Sequence, residues 1–295
     1  MSASATLGSA PTRYLITGAG GMLGRDLQAT LTGHTGATVT AFTRAELDIT
    51  DPEACRAAVA GHDVVLNTAA YTAVDAAETD EQQAMLINAS GAENLARACA
   101  EAGAVLVQYS TDYVFSGDDA GPYAENAPLA PVSAYGRSKA EGEIRARAAH
   151  PDGTIIMRTA WLYGEHGPNF VRTMMRLYRE NGHLTVVNDQ HGQPTWTTDL
   201  AEQTLRMLQT GLRSGTLHGT SAGATTWHGF ACAIVENLGG DARDVAPTDS
   251  AQFARPARRP TNSVLAHDGW ARLGLTPIRA WRDALNESMS AEIFS

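Results

Sequence analysis

The sequence predicts an α/β chain, a doubly wound parallel sheet with a smaller, interleaved C-terminal lobe. Three observations carry that expectation. Short β-rich runs alternate with helical stretches through the first half of the 295 residues. A glycine-rich turn, Thr17-Gly18-Ala19-Gly20-Gly21-Met22-Leu23-Gly24, joins the first strand to the first helix. Beyond position 158 the rhythm loosens into Gly- and Pro-containing stretches between shorter helices.

Each element has its own signal. Residues 13–17 form a β-rich run leading into the glycines, and 22–31 read as the helix that follows. A second strand is expected over 37–42, a helix over 51–60 and a buried strand over 63–67. Residues 81–102 read as one long helix, 104–109 as a strand, 133–149 as a helix and 154–158 as a strand. Downstream, helices are expected over 170–180, 198–209 and 227–238, with 184–187 a candidate to return to the main sheet. The chain therefore divides into three parts. Residues 1–11 form a tail expected to be disordered, 12–158 a dinucleotide-binding, Rossmann-like domain, and 159–295 mainly a substrate lobe with some segments returning to the sheet.

Composition sets the outer bounds. A hydrophobic content of 43% supports a full core. The formal charge of -10, without a basic run, would repel a phosphate backbone, so no nucleic-acid partner is expected. An anionic small molecule stays compatible, because placed arginines and a helix N-terminus act locally. Cys55, Cys99 and Cys232 are scattered and odd in number, which reads as core thiols in a reducing compartment. The N-terminus lacks a charged start and apolar stretch, and no apolar run approaches the roughly 18 residues of a membrane span, so a cytoplasmic protein with no membrane partner is expected. Neither His218 with His228 nor His183 with His191 has helical i, i+4 spacing beside an acid, so no metal is expected. Trp196, Trp227, Trp270 and Trp281 read as core residues, and only Trp161 lies in a motif.

The chemistry begins at the glycines. Gly18, Gly21 and Gly24, at three-residue spacing between a strand and a helix, let the backbone turn tightly and approach a pyrophosphate at the helix N-terminus. An acidic residue for the adenosine ribose is expected about 20 residues on. The strand there ends Ala41-Phe42-Thr43-Arg44 without a carboxylate. Arg44 can pair with a 2′-phosphate, which points to NADPH with NADH as the alternative; a merely solvated arginine is the bland reading. Asp48 and Ile49 are placed to flank the adenine. The small residues of Asn67-Thr68-Ala69-Ala70-Tyr71 would let a cofactor pass closely, although packing alone also explains the alanines. Thr111 follows the next strand, where its hydroxyl would hold a substrate carbonyl in register with Tyr135. Tyr135 and Lys139 lie four residues apart on one helix face, so the ammonium is expected to favour the ionised phenol and make Tyr135 a workable acid at neutral pH.

With these motifs the chain resembles the extended short-chain dehydrogenase/reductase family, and within it the branch acting on dTDP-4-keto-6-deoxyhexoses. The resemblance runs from Arg13 onward. It is carried by residues 45–51, 69–75, 110–115 and 135–139, and in the second half by 158–164, 188–195 and 259–263. It implies NADPH-dependent reduction of the sugar's 4-keto group, with dTDP-4-dehydro-L-rhamnose reduced to dTDP-L-rhamnose as the usual case. Tyr135 would donate the proton, Lys139 would lower its pKa and hold the nicotinamide ribose, and Thr111 would meet the reacting carbonyl. The implied cofactor contacts are Gly18, Gly20, Gly21, Met22, Leu23, Gly24, Thr43, Arg44, Asp48, Ile49, Ala69, Ala70 and Tyr71, with Tyr135 and Lys139. The implied substrate contacts are Thr72, Val74, Thr111, Asp112 and Tyr113, with Trp161 as a pocket wall and Arg259 and Asn262 on the dTDP portion. Asn88 is implied to order the helix and a water beneath Lys139.

Two departures from the family pattern matter. Thr43 stands where many members have an acid before the arginine, which supports NADPH over dual use. Pro194-Thr195-Trp196-Thr197-Thr198 lacks the carboxylates through which some members share a metal, so monomer and homodimer both stay open. Two other readings remain: a 4-ketoreductase for another dTDP-deoxysugar, as in dihydrostreptose formation, and a non-catalytic cofactor-binding regulatory subunit.

Overall fold

The computed structural model describes residues 11–34, 36–253, 255–291 and 293–294, so the expected disordered tail lies, except for Pro11, outside the described residues. Six strands form one parallel sheet: β1 (Thr12–Thr17), β2 (Ala37–Phe42), β3 (Val64–Asn67), β4 (Val105–Thr111), β5 (Thr154–Thr159) and β6 (Gly215–His218). Their order is β6-β5-β4-β3-β1-β2. β3, β4 and β5 are buried along their whole length, as strands covered on both faces must be.

The main helices are α1 (Met22–Thr32), α2 (Pro52–Val59), α3 (Gly91–Ala102), α4 (Ala134–Ala149), α5 (Phe170–Asn181), α6 (Thr197–Gln209), α7 (Trp227–Asn237) and α8 (Trp281–Ser290). Their starts are legible in the sequence. Asp51 caps α2 by accepting from the backbone N–H groups of Glu53 and Ala54 at 2.9 and 3.3 Å, with Pro52 at the first helical position. Ser133 caps α4 through Gly136 N–H at 3.1 Å. Side chains alternate across the sheet. Leu15, Val65 and Leu106 pack with Cys55, Leu95 and Cys99 on one face. Ile16, Leu66 and Val107 pack with Leu23, Leu27 and Leu200 on the other. A third cluster joins Val171, Leu184, Phe230, Ile234 and Leu285.

In the fold, three differences from the sequence expectation stand out. Residues 184–187 do not join the main sheet: Leu184–Val187 pairs in parallel with Val245–Thr248, because its apolar side chains belong to the third cluster. The free edge of β5 is taken instead by β6, and α6 packs its Leu200 and Met207 onto the α1 face. The helix expected over 81–102 is broken into Glu81–Met85, a π-helical turn Leu86–Ser90 and α3. Asn88 accounts for the break: its amide exchanges hydrogen bonds with the backbone of Tyr71 at 2.8 and 3.0 Å and donates to Ser138 Oγ at 2.9 Å. Third, Cys55 and Cys99 are buried thiols as expected, whereas Cys232 is only half-buried on α7. No helix among the described residues is long and apolar enough to cross a membrane.

Candidate active site

Chain order reverses between β1 and β3, the place at the carboxyl ends of a doubly wound sheet where ligands settle. A cavity of about 610 Å³ opens there. Of the residues singled out in the sequence, Gly18, Gly21, Met22, Leu23, Gly24, Arg44, Asp48, Ile49, Ala69, Ala70, Thr72, Val74, Thr111, Asp112, Tyr113, Tyr135, Lys139 and Trp161 line it. Gly20, Thr43 and Tyr71 are not part of the lining, and Gly20 and Thr43 are exposed. Thr43 is engaged through its hydroxyl and N–H by Glu46, at 2.7 and 2.8 Å.

One end of the cavity is built to receive a dinucleotide. Gly18 has φ +67°, and a Cβ there would lie 2.6 Å from the backbone nitrogen of Ala69; a Cβ at Gly24 would lie 2.8 Å from Ala19 Cα. The loop after β1 therefore presses against the loop after β3 with no side chain between them. α1 follows Gly21 with no side-chain cap and no acidic residue in its first turn, so its N–H groups and positive end face the cavity. Arg44 borders the same end. Asp48 is held below its ordinary value by the backbone and hydroxyl of Thr50. A glycine cradle, an uncapped helix and an arginine just past the end of β2 fit NADP(H).

At the other end, α4 and β4 bring three polar side chains together. β4 runs two residues further than the sequence suggests and ends on Thr111. Thr111 Oγ1 donates to Asp112 Oδ1 at 2.9 Å and accepts from Tyr113 N–H at 3.2 Å. Tyr113 and Tyr135 meet edge to face at 5.8 Å. Asp112 is 2% exposed, its Oδ2 has no partner among the described residues, and burial pushes its carboxyl up to about 6.

The expectation that Lys139 favours an ionised Tyr135 is corrected. Lys139 Nζ donates to the carbonyl of Tyr109 at 2.6 Å. Burial raises the Tyr135 phenol above its ordinary value and the Asp112 carboxylate adds to that, with the Thr111 hydroxyl opposing. The phenol is thus held protonated at neutral pH, ready to donate. Burial also lowers Lys139 to about 8, against the support of Glu143.

Trp161 is the one non-glycine among the described residues with positive φ, +47°. Its ring stacks on Trp227 at 3.6 Å and 9°, and Gly192 leaves no room for a Cβ against it. Trp227, read from sequence as core, lines the cavity too. Arg259 and Asn262 do not. The Arg259 guanidinium is held by both oxygens of Asp75, at 2.5 and 2.9 Å, and Asn262 Nδ2 donates to the carbonyls of Asp119 and Gly121, at 2.7 and 3.1 Å. Both are satisfied by neighbours within reach and fasten loops. Sequence reasoning also missed Tyr109, Ser110 and Thr159, whose only signal was their place at the carboxyl ends of buried strands.

The chain matches a family model described as RmlD substrate binding domain over residues 12–293. A dTDP-4-dehydrorhamnose reductase of Streptomyces griseus is 49% identical over 285 residues, 95% of this chain and 93% of that protein. A dTDP-4-keto-6-deoxy-D-glucose reductase of Streptomyces niveus is 48% identical, covering 94% and 96%. The crystal structure of a dTDP-4-dehydrorhamnose reductase from Bacillus anthracis in complex with NADP superposes with a TM-score of 0.91 at 36% identity, covering 95% of this chain and 99% of that one.

Proposed function

We propose that this chain, which belongs to the RmlD substrate binding domain family, is an NADPH-dependent oxidoreductase that reduces the 4-keto group of a dTDP-4-keto-6-deoxyhexose. The substrate is dTDP-4-dehydro-L-rhamnose and the product dTDP-L-rhamnose, after the names of its relatives. One observation carries this: Tyr135, Thr111 and Lys139 line one end of a cavity whose other end is a glycine cradle with Arg44.

Tyr135 and Lys139 hold the catalytic roles, with Thr111. Bound in the cradle, the reduced nicotinamide supplies the hydride for carbon 4 of the sugar. Tyr135 donates its phenolic proton to the carbonyl oxygen, so no unshielded alkoxide forms. The Thr111 hydroxyl holds the same oxygen in register. The Lys139 ammonium holds the nicotinamide ribose, and Tyr135 recovers its proton from solvent after the transfer. Asp112, Tyr113, Thr72 and Val74 border the sugar side, and Trp161 closes it. We read residues 12–158 as the dinucleotide-binding part and 159–295 mainly as the substrate lobe, with Thr197–Gln209 and Gly215–His218 returning to the first core. The unpaired Cys55, Cys99 and Cys232 support a cytoplasmic enzyme, working as a monomer or homodimer.

A second reading keeps the chemistry and changes the sugar, favoured by the relative named for dTDP-4-keto-6-deoxy-D-glucose. One experiment separates them: NADPH oxidation with dTDP-4-keto-6-deoxyglucose, with and without a 3,5-epimerase, repeated with NADH, and the product identified by NMR. Turnover only with epimerase, giving dTDP-L-rhamnose, is expected. Turnover without it favours the second reading. Tight NADPH binding with no turnover under either condition sinks the rhamnose reading and leaves another keto sugar or a regulatory subunit.

A further inference from the structure

We propose that Glu143 is a positioning residue for the reaction, its carboxylate locked by Arg158 and Ser110 so that the ammonium of Lys139 stays charged beneath the cavity. The proposal rests on the role given to Lys139 above. α4 places Tyr135, Lys139 and Glu143 at successive i, i+4 positions, in line along one face. Glu143 is 2% exposed. Its carboxylate accepts from Ser110 Oγ at 2.5 Å and from Arg158 Nε and Nη2 at 2.9 and 2.8 Å. Arg158, 3% exposed, spends its remaining fork on the Glu125 carbonyl at 3.0 Å and on His218 Nε2 at 3.3 Å. His218 Nδ1 in turn lies 2.8 Å from the carbonyl of Ala266, and burial holds that ring neutral.

A fully buried ion pair is a poor source of stability compared with apolar groups of the same volume. Its location gives it another use. Ser110 borders the cavity next to Thr111, and the carboxylate that holds it is the charge supporting Lys139 against burial. The groups around Lys139 are few. From α4 come Tyr135 and Glu143, from β4 the Tyr109 carbonyl with Ser110 and Thr111, and just past β4 Asp112; Arg158 of β5 reaches Glu143, and Asn88 of the π-helical turn is neutral and satisfied. Asp112 bears on Tyr135 and Glu143 on Lys139. With burial bringing the ammonium down to about 8, little margin remains at neutral pH.

The chain carries one lysine among its 22 basic residues, Lys139 itself, and every other is arginine, which does not deprotonate. Protein labelled with [ε-13C]lysine therefore gives a single resonance, whose titration reads this ammonium directly, whatever sugar the enzyme reduces. In Glu143→Gln the midpoint is expected to fall by about one pH unit, with the alkaline limb of NADPH binding moving alongside it. Glu143→Asp, which keeps the charge, is expected to restore most of it. Glu143→Gln/Arg158→Met, which leaves no buried charge unpaired, carries the test if the single variant does not fold, with a smaller shift in the same direction. A wild-type midpoint in folded Glu143→Gln, or in the double variant in its place, overturns the proposal even if the cofactor and sugar are as stated. An unshifted midpoint beside a lowered melting temperature would mean the pair serves the fold alone.

Discussion

Replacing Gly18 by alanine tests the cofactor cradle quantitatively. Two costs add at this position. The residue has φ +67°, where an L side chain costs roughly 1–2 kcal/mol. The new Cβ would also lie 2.6 Å from Ala69 N and 2.7 Å from Ala69 Cα. Ordinary carbon contacts begin near 3.5 Å, so the loops after β1 and β3 must part by roughly 0.8 Å, an overpacking cost of about 1–3 kcal/mol. Gly103 supplies the control: its φ is +70°, but nothing lies within 4 Å of the Cβ an alanine would add. Gly103→Ala should therefore show the backbone term alone. The measurements are thermal unfolding and NADPH affinity by fluorescence titration, on both variants beside the parent. A total of about 2–5 kcal/mol for Gly18→Ala corresponds to a melting point lower by roughly 3–8 °C, against roughly 2–3 °C for Gly103→Ala. NADPH affinity should fall at least tenfold in the first and stay unchanged in the second. Equal melting points and equal affinities would refute the claim that the two loops are pressed together to form the cradle.

Further outcomes follow from the same geometry. Tyr135→Phe should lower kcat roughly 10²- to 10⁴-fold while NADPH affinity stays near the parent value; undiminished turnover would remove Tyr135 as the proton donor. Arg44→Ala should weaken NADPH binding by roughly 10- to 100-fold and leave NADH binding unaffected, seen in paired titrations; equal losses for both cofactors would contradict a 2′-phosphate contact. Asp112 has a folded pKa of about 6, raised above the unfolded carboxyl near 4, so its cost is absent at low pH, grows as pH rises from about 4 to 6 and is complete above that. Asp112→Asn should accordingly melt higher than the parent at pH 8, by an advantage of roughly 2–3 kcal/mol that shrinks by pH 4.5, and a pH-independent difference would refute it. Asp75 is the opposite case: Arg259 holds it at about 2, so stability from the pair stands above about pH 4 and is lost as pH falls through 2. Asp75→Asn should flatten that acid limb in pH-dependent melting curves.

Much of the fold was legible because local and long-range signals agree. The Asp51-Pro52 start of α2, the Ser133 cap of α4 and the glycine turn before α1 are local chemistry, and the structure realises each. The alternation of Leu15 and Ile16 to opposite faces follows from strand geometry alone. What escaped depends on partners far along the chain. Asn88 sits in a π-helical turn because Tyr71 and Ser138 are within reach, and no helical periodicity announces that. Gly215–His218 joins the sheet because β5 offers a free edge, whereas Leu184–Val187 has similar β-character and goes elsewhere. In the site, the sequence named many of the residues lining the cavity but not their electrostatics. The spacing of Tyr135 and Lys139 says that they share a face, while the depth at which that face is buried decides that the phenol keeps its proton. Arg259 and Asn262 were drawn to the site by motif, and Asp75 and two backbone carbonyls had already claimed them.

The stacked indoles of Trp161 and Trp227 give the molecule an optical property. Two such rings 3.6 Å apart and nearly parallel are coupled chromophores, whose transitions mix and split in the ultraviolet circular dichroism. Both rings form part of the cavity wall, so whatever settles against them changes their spacing or polarity. The enzyme thus carries its own label at the place where the sugar should lie, and occupancy can be followed as a change in the couplet without dye, isotope or turnover.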